Sequence, residues 1–164
     1  MDMRISQKTL LALISCTAIA VTLSACGSGP DAPTRLISKV TDGAEGSIKE
    51  NGNDIQIRNL LLVAQEDGSA VLVGSIINQV EREDALLGIG ITGVAATITG
   101  NTSLPLEKPI IFEGDAANAK AVFTGLNAKA GTNVAISLFF ARAGEITLNV
   151  IVRDKRDTYA GVSS

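Results

Sequence analysis

The stretch Val134-Ala135-Ile136-Ser137-Leu138-Phe139-Phe140, which Ala143-Gly144 joins to Ile146-Thr147-Leu148-Asn149-Val150-Ile151-Val152, decides the fold. In both halves, large apolar residues at every second position alternate with residues that are mostly small or polar. This is the period of a half-buried strand. The glycine between the halves suits a tight turn. The stretch therefore predicts a β-hairpin with Phe140 in the core and Phe139 on the outer face, as a packing residue or a contact point for a partner.

The same strand pattern continues upstream of this hairpin. Ile55, Ile57, Leu61 and Val63 are predicted to share one face of an extended segment. Further short apolar runs follow, separated by turn signals rich in Gly, Asn, Asp and Pro. About seven short strands joined in this way predict an all-β fold, an antiparallel two-sheet sandwich of the immunoglobulin-like kind.

The N-terminus carries the pattern of an export signal. Arg4 and Lys8 precede a mostly apolar run that ends in Leu23-Ser24-Ala25-Cys26. A cysteine at the cut point resembles the lipobox of bacterial lipoproteins. The resemblance implies cleavage between Ala25 and Cys26, a diacylglyceryl thioether on Cys26, and anchoring by that lipid to the extracytoplasmic face of the cell membrane.

An uncleaved membrane span over residues 9–25 is the alternative to a cleaved signal. That stretch is shorter than the roughly 20 apolar residues that a span needs, and it contains several Ser and Thr residues. The sequence therefore favours the lipoprotein interpretation.

The chain is predicted to have four segments: a signal peptide at 1–25, a lipidated flexible tether at 26–52, a β-sandwich domain at 53–153 and a C-terminal tail at 154–164. The tether is rich in Gly, Pro and Ser. Leu36, Ile37 and Val40 interrupt its polarity, which leaves open that its second half docks on the domain.

The charge balance limits the possible partners. The chain has 14 basic and 17 acidic residues. Loss of Asp2, Arg4 and Lys8 with the signal leaves 12 basic and 16 acidic residues, a net charge of −4. This acidic balance does not indicate a positively charged surface for nucleic acid or a basic patch for anionic lipid. The expected partners are the membrane, through the lipid on Cys26, and an envelope protein.

The residue types also limit the possible chemistry. The sequence has no His, and its two Met and one of its two Cys lie in the predicted signal. A catalytic triad, a Cys-His pair and a free thiol nucleophile are therefore excluded after cleavage, and we predict that the protein is not an enzyme. We expect no cofactor and no protein-bound metal. Carboxylates remain, but the clusters at 81–84 and 113–115 are interpreted as solvated turns, and two carboxylates are too few for calcium.

The strand region also resembles a known family, the PCuAC-type periplasmic copper chaperones, and more closely the actinobacterial exported lipoproteins grouped with them. The resemblance rests on these stretches: Ile57–Val63 before Gly68–Gly74, Phe123–Leu126 before Lys129–Thr132, and Leu138–Val150. It implies a cupredoxin-like form of the β-sandwich.

The copper ligands of that family do not carry over to this chain. The family binds copper with two His and two Met, soft donors that suit Cu(I). Its His-x-Met motif falls on Lys120 and Val122, and its first His and Met fall within 95–106, which contains neither residue type. Lys120 is then an exposed strand lysine or, at a vestigial site, a contact for a protein or an anionic group.

These observations lead to one leading hypothesis and two alternatives. The leading hypothesis is a lipid-anchored cell-envelope lipoprotein whose non-catalytic, copper-chaperone-like β-sandwich has a binding or structural role. The first alternative is an accessory protein in extracytoplasmic copper handling that acts through a partner. The second is an enzyme that uses carboxylates.

Overall fold

A computed structural model describes residues 42–164 of the chain. The predicted signal peptide, Ala25, Cys26 and the first part of the predicted tether lie outside the described residues. Within 42–164 the chain forms 11 strands and one short 3-10 helix. The strands are β1 (Ala44–Ile48), β2 (Ile55–Ala64), β3 (Ala70–Asn78), β4 (Asp84–Ile91), β5 (Val94–Ala95), β6 (Thr97–Gly100), β7 (Ser103–Leu104), β8 (Ile110–Ile111), β9 (Ala119–Phe123), β10 (Asn133–Phe140) and β11 (Gly144–Arg153).

The predicted all-β sandwich is confirmed. Strands β2, β3, β9 and β6 form one layer, and β5, β4, β10 and the first part of β11 form the other. Strand β11 connects the layers, because its end turns to pair with β2. That last pairing is parallel, with Val152 opposite Leu62, so the sandwich is not purely antiparallel as predicted.

The structure agrees most clearly with the sequence-based prediction at the hairpin over 134–152. Strands β10 and β11 pair from Asn133 opposite Ile151 to Phe140 opposite Gly144. Phe140 is 4% exposed in the core, whereas Phe139 is 40% exposed on the outer face. The alternation of the sequence therefore sets which face of the hairpin is buried.

A β-bulge in β2 overturns one part of the predicted pattern. Asn59 and Leu60 together face Gly74 on β3, and Asn59 has a φ of 51°. The extra residue reverses the faces beyond it, so Leu60 and Leu62 join Ile57 in the main core. The prediction that Leu61 and Val63 share the face of Ile55 and Ile57 was wrong. Those two side chains are buried on the opposite side of the layer.

Glycine is needed opposite this bulge. Gly74 has a φ of 139°, and a Cβ there would lie 3.0 Å from the main-chain oxygens of Arg58 and Asn59. A side chain at this position would therefore push β2 and β3 apart at the bulge.

The residues before β2 differ from the predicted tether. Ala44–Ile48 forms β1, which pairs with β2 from Ala44 opposite Leu60 to Ile48 opposite Ile55. The amide of Gly43 donates a 3.0 Å hydrogen bond to Oδ1 of Asn59. Flexible tether therefore does not extend to residue 52, because residues 44–48 satisfy their backbone groups against the sheet.

The C-terminal segment folds against the outer face of the first layer. Asp157–Tyr159 forms the 3-10 helix, and Val162 is 7% exposed. Val162 packs with Leu61, Val63 and Val71 in a cluster separate from the main core. All members of both clusters lie between residues 44 and 162, so a chain of residues 27–164 contains the complete described core.

Candidate functional site

The two regions to which the resemblance assigns copper ligands are neighbours in the structure. Strand β6 pairs with β9, so that Thr97 lies opposite Val122 and Thr99 lies opposite Lys120. Directly opposite residues of an antiparallel pair project from the same face. The intervening pair, Ile98 and Ala121, packs into the main core. The four residues Thr97, Thr99, Lys120 and Val122 therefore share the outer face, and we call them the β6–β9 face.

The donors on the β6–β9 face do not fit copper. It offers two hydroxyls, an ammonium and an isopropyl group, whereas Cu(I) is held by thioethers, thiolates and imidazoles. An ammonium is also a cation and would repel the metal. Within residues 42–164, no group of three or more His, Cys, Asp or Glu side chains is arranged to hold a metal ion.

Lys120 is engaged with the C-terminal segment. Its Nζ donates a 2.7 Å hydrogen bond to the main-chain oxygen of Ser163. Val122, on the same face, packs against the cluster that contains Val162. The end of the chain therefore borders the face where the ligands of a copper chaperone would be expected.

Phe139 lies on the other layer. It projects from the outer face of β10, opposite Gly88 on β4 and Glu145 on β11. Leu87, next to Gly88, is 68% exposed. Leu87 and Phe139 are thus two exposed large apolar side chains of this layer, and the structure does not bring Phe139 into one site with Lys120.

A cleft of about 510 Å³ lies between the first layer and the C-terminal segment. Its lining residues include Asn59, Val73, Glu113, Asp115, Tyr159 and Val162. We call it the tail cleft. Burial, followed by the nearby carboxylate of Asp42, raises the pKa of the Tyr159 hydroxyl, so this group stays protonated at neutral pH.

The interpretation of 113–115 as a solvated turn was right for one of its two carboxylates only. Asp115 is exposed, as a solvated turn requires, but Oε1 of Glu113 is buried without a hydrogen-bond partner among residues 42–164. Sequence reasoning treated both as solvent-facing because nothing in the local pattern shows that the C-terminal segment packs beside them.

The other acidic cluster contains a structural residue that sequence reasoning missed. Asp84 is 4% exposed, and its carboxylate accepts hydrogen bonds from the amides of Ala85, Arg142 and Ala143 at 2.7–2.9 Å. It thereby fixes the turn between β10 and β11 to the start of β4. The interpretation of 81–84 as a solvated turn holds for Glu81 and Glu83, which are exposed, and was wrong for Asp84.

Comparisons with known proteins identify the class of fold. No protein-family description and no curated protein matches the chain. Among solved structures, the chain is similar to the apo PCuAC domain from PmoF1, with a TM-score of 0.56 and 19% identity over 68% of this chain and 99% of that domain. It is also similar to the copper-bound PCuAC domain from PmoF2, with a TM-score of 0.57 and 19% identity over 68% of this chain and 98% of that domain.

A third solved structure, the apo PCuAC domain of PmoF2, gives a TM-score of 0.52 and 21% identity over 70% of this chain and 96% of that domain. The similarity confirms the fold expected from the sequence. Residues 42–164 have a PCuAC-like, cupredoxin-like β fold.

Proposed function

We propose that the protein is a lipid-anchored lipoprotein of the cell envelope, with a non-catalytic binding or structural role and no copper site of its own. The lipobox-like tetrad that ends in Cys26 supports the anchor and the extracytoplasmic location. The fold is similar to that of PCuAC domains. Within residues 42–164 no helix has the length and apolar character that crossing a bilayer requires.

One observation carries the functional part of this proposal. On the β6–β9 face, the paired strands β6 and β9 present Thr97, Thr99, Lys120 and Val122. None of these side chains is a soft ligand, and the sequence contains no His with which another site could be built. The scaffold is therefore proposed to bind something other than copper.

The anchor is tested by separating membranes from soluble protein in cells that produce the full chain. Cys26→Ser removes the acceptor of the lipid, and we expect the variant to leave the membrane fraction. Cys16→Ser is the matched control, because it changes the other cysteine of the chain, which lies within the predicted signal peptide. This variant should stay membrane-bound. Equal membrane association of both variants would contradict the anchor.

A second candidate function is an accessory role in copper handling through a partner. The exposure of Leu87 and Phe139 favours it, since large apolar side chains on the outer face of a sheet are typical contact points for a partner. Photocrosslinking from position 139 in intact cells, with and without added copper, tests this role. A copper-handling protein captured from position 139, but not from the exposed position 129, would support it. Capture of the same proteins from both positions would count against it.

A further inference from the structure

The tail cleft has the size and the mixed lining of a small-ligand site. Its volume of about 510 Å³ lies within the roughly 300–1,000 Å³ that such sites occupy. Thr97, Thr99, Lys120 and Val122 are not among its lining residues. The cleft is therefore distinct from the β6–β9 face, although Val162 lines the cleft and packs in the same cluster as Val122.

Two of the residues that line the cleft, Glu113 and Asp115, are acidic. Oε1 of Glu113 is buried and has no hydrogen-bond partner there, although the residue keeps an exposed part. Asp115 lies two residues further along the same loop. The lining contains no Lys or Arg, and neither carboxylate is in an ion pair within residues 42–164. A partly desolvated carboxylate without a partner is costly, so a cation at its open side would be stabilising.

The same lining also contains apolar groups, which are Val73, Val162 and the ring of Tyr159. Valine side chains suit the aliphatic stem of a ligand, and the face of an aromatic ring attracts a cation. The Tyr159 hydroxyl stays protonated at neutral pH, so it adds no negative charge to the cleft.

We propose that the tail cleft binds an organic cation, an ammonium or guanidinium group on a short aliphatic stem. The charged head would lie at Glu113 and Asp115, and the stem along Val73 and Val162. The group can come from a free alkylamine or from a Lys or Arg side chain of a protein. A divalent metal is a poorer match, because two carboxylates fall short of the six to eight oxygens that calcium takes. This inference is independent of the proposed anchor and of copper.

The test uses a ¹⁵N-labelled chain of residues 27–164, which contains the complete described core. n-Pentylamine and agmatine are titrated in, with n-pentanol as the uncharged control. We expect saturable amide shifts at Gly114 and Gly161, which line the cleft, with both cations and not with the alcohol. Glu113→Gln should weaken the binding about tenfold or more, because a hydrogen bond to a charged group contributes about 1.5–3 kcal/mol.

Two further variants keep the result interpretable. Glu81→Gln removes an exposed carboxylate outside the cleft and should bind like the original chain. Asp115→Asn changes an exposed loop residue and should weaken binding severalfold even if Glu113→Gln fails to fold. The amide spectrum of each variant shows whether it is folded.

The source of the cation is decided by a third ligand, the capped peptide Gly-Lys-Gly. Tighter binding of the peptide than of n-pentylamine points to a protein side chain, and the reverse order points to a free amine. Either order supports the proposal. Equal binding of n-pentanol, unchanged affinity in both carboxylate variants, displacement of the amines by calcium, or no shifts at Gly114 and Gly161 would overturn it.

Discussion

The ammonium of Lys120 lies 2.7 Å from the main-chain oxygen of Ser163, so a residue of β9 is joined to the C-terminal segment. Nearby, Val162 packs into the cluster on the outer face of the first layer. Together these contacts make the C-terminal segment part of the folded domain.

Val162→Ala should therefore destabilise the domain. Removing two buried methyl groups is expected to lower the free energy of unfolding by about 1–2 kcal/mol. Urea unfolding of residues 27–164 measures the change. Ser163→Ala is the control, because it keeps the main-chain oxygen that Lys120 uses. An unchanged midpoint for Val162→Ala would show that the segment is not docked in solution.

The bulge at Asn59 makes a second prediction about stability. Asn59 has a φ of 51° and accepts a hydrogen bond from the amide of Gly43. Asn59→Ala loses this bond and places an alanine in the left-handed region, so it should cost about 2 kcal/mol. Asn59→Gly loses the bond without the strain and should cost about half as much. Equal unfolding midpoints for the two variants would contradict the strained bulge.

The turn before β3 makes a prediction about pH. The hydroxyl and amide of Ser69 donate to Oδ1 of Asp67, at 2.6 Å and 2.9 Å, and they lower the pKa of that carboxyl from its usual 3.8. Because the pKa is lower in the folded state, the stabilisation is present above about pH 4 and is lost as the pH falls through the folded pKa.

Ser69→Ala removes the larger of these two contributions and should raise the pKa of Asp67 toward 3.8. A ¹³C NMR titration of the Asp67 carboxyl between pH 2 and pH 6 checks this, with the unaltered chain as the reference. An unchanged or lower pKa of Asp67 in the variant would refute the assignment.

The sequence predicts the hairpin and its buried face well, because strict alternation leaves one way to bury it. The same rule fails at Asn59, since a single inserted residue reverses every side chain after it. Asn is a residue that tolerates positive φ, but the bulge also depends on Gly74, which lies on another strand. A local pattern cannot show that pairing.

The β6–β9 face was predictable and the tail cleft was not. The resemblance to copper chaperones assigned the ligand positions to 95–106 and to Lys120 and Val122, and the structure pairs those regions. Glu113 and Tyr159 lie 46 positions apart in the sequence, and they line one cleft only because the C-terminal segment folds back. Nothing in the charged, small and polar residues after Arg153 indicates this packing.

The scaffold itself should still accept a copper site. Thr97→Met, Thr99→His, Lys120→His and Val122→Met together place two thioethers and two imidazoles on the β6–β9 face. Opposite residues have Cβ atoms about 4.5–5.5 Å apart, which lets their donors converge. We expect this variant to bind one Cu(I), whereas a chain with Val, Val, Gln and Leu at the same four positions should bind none.

The most direct test of the account is a Cu(I) titration of the unaltered residues 27–164 against a competing chromogenic chelator, under reducing conditions. This chain omits Cys26, whose free thiol would bind copper in the absence of lipid. We predict no transfer of copper to the unaltered protein, with the four-ligand variant as the positive control. Stoichiometric binding of Cu(I) to the unaltered chain with sub-micromolar affinity would contradict the account.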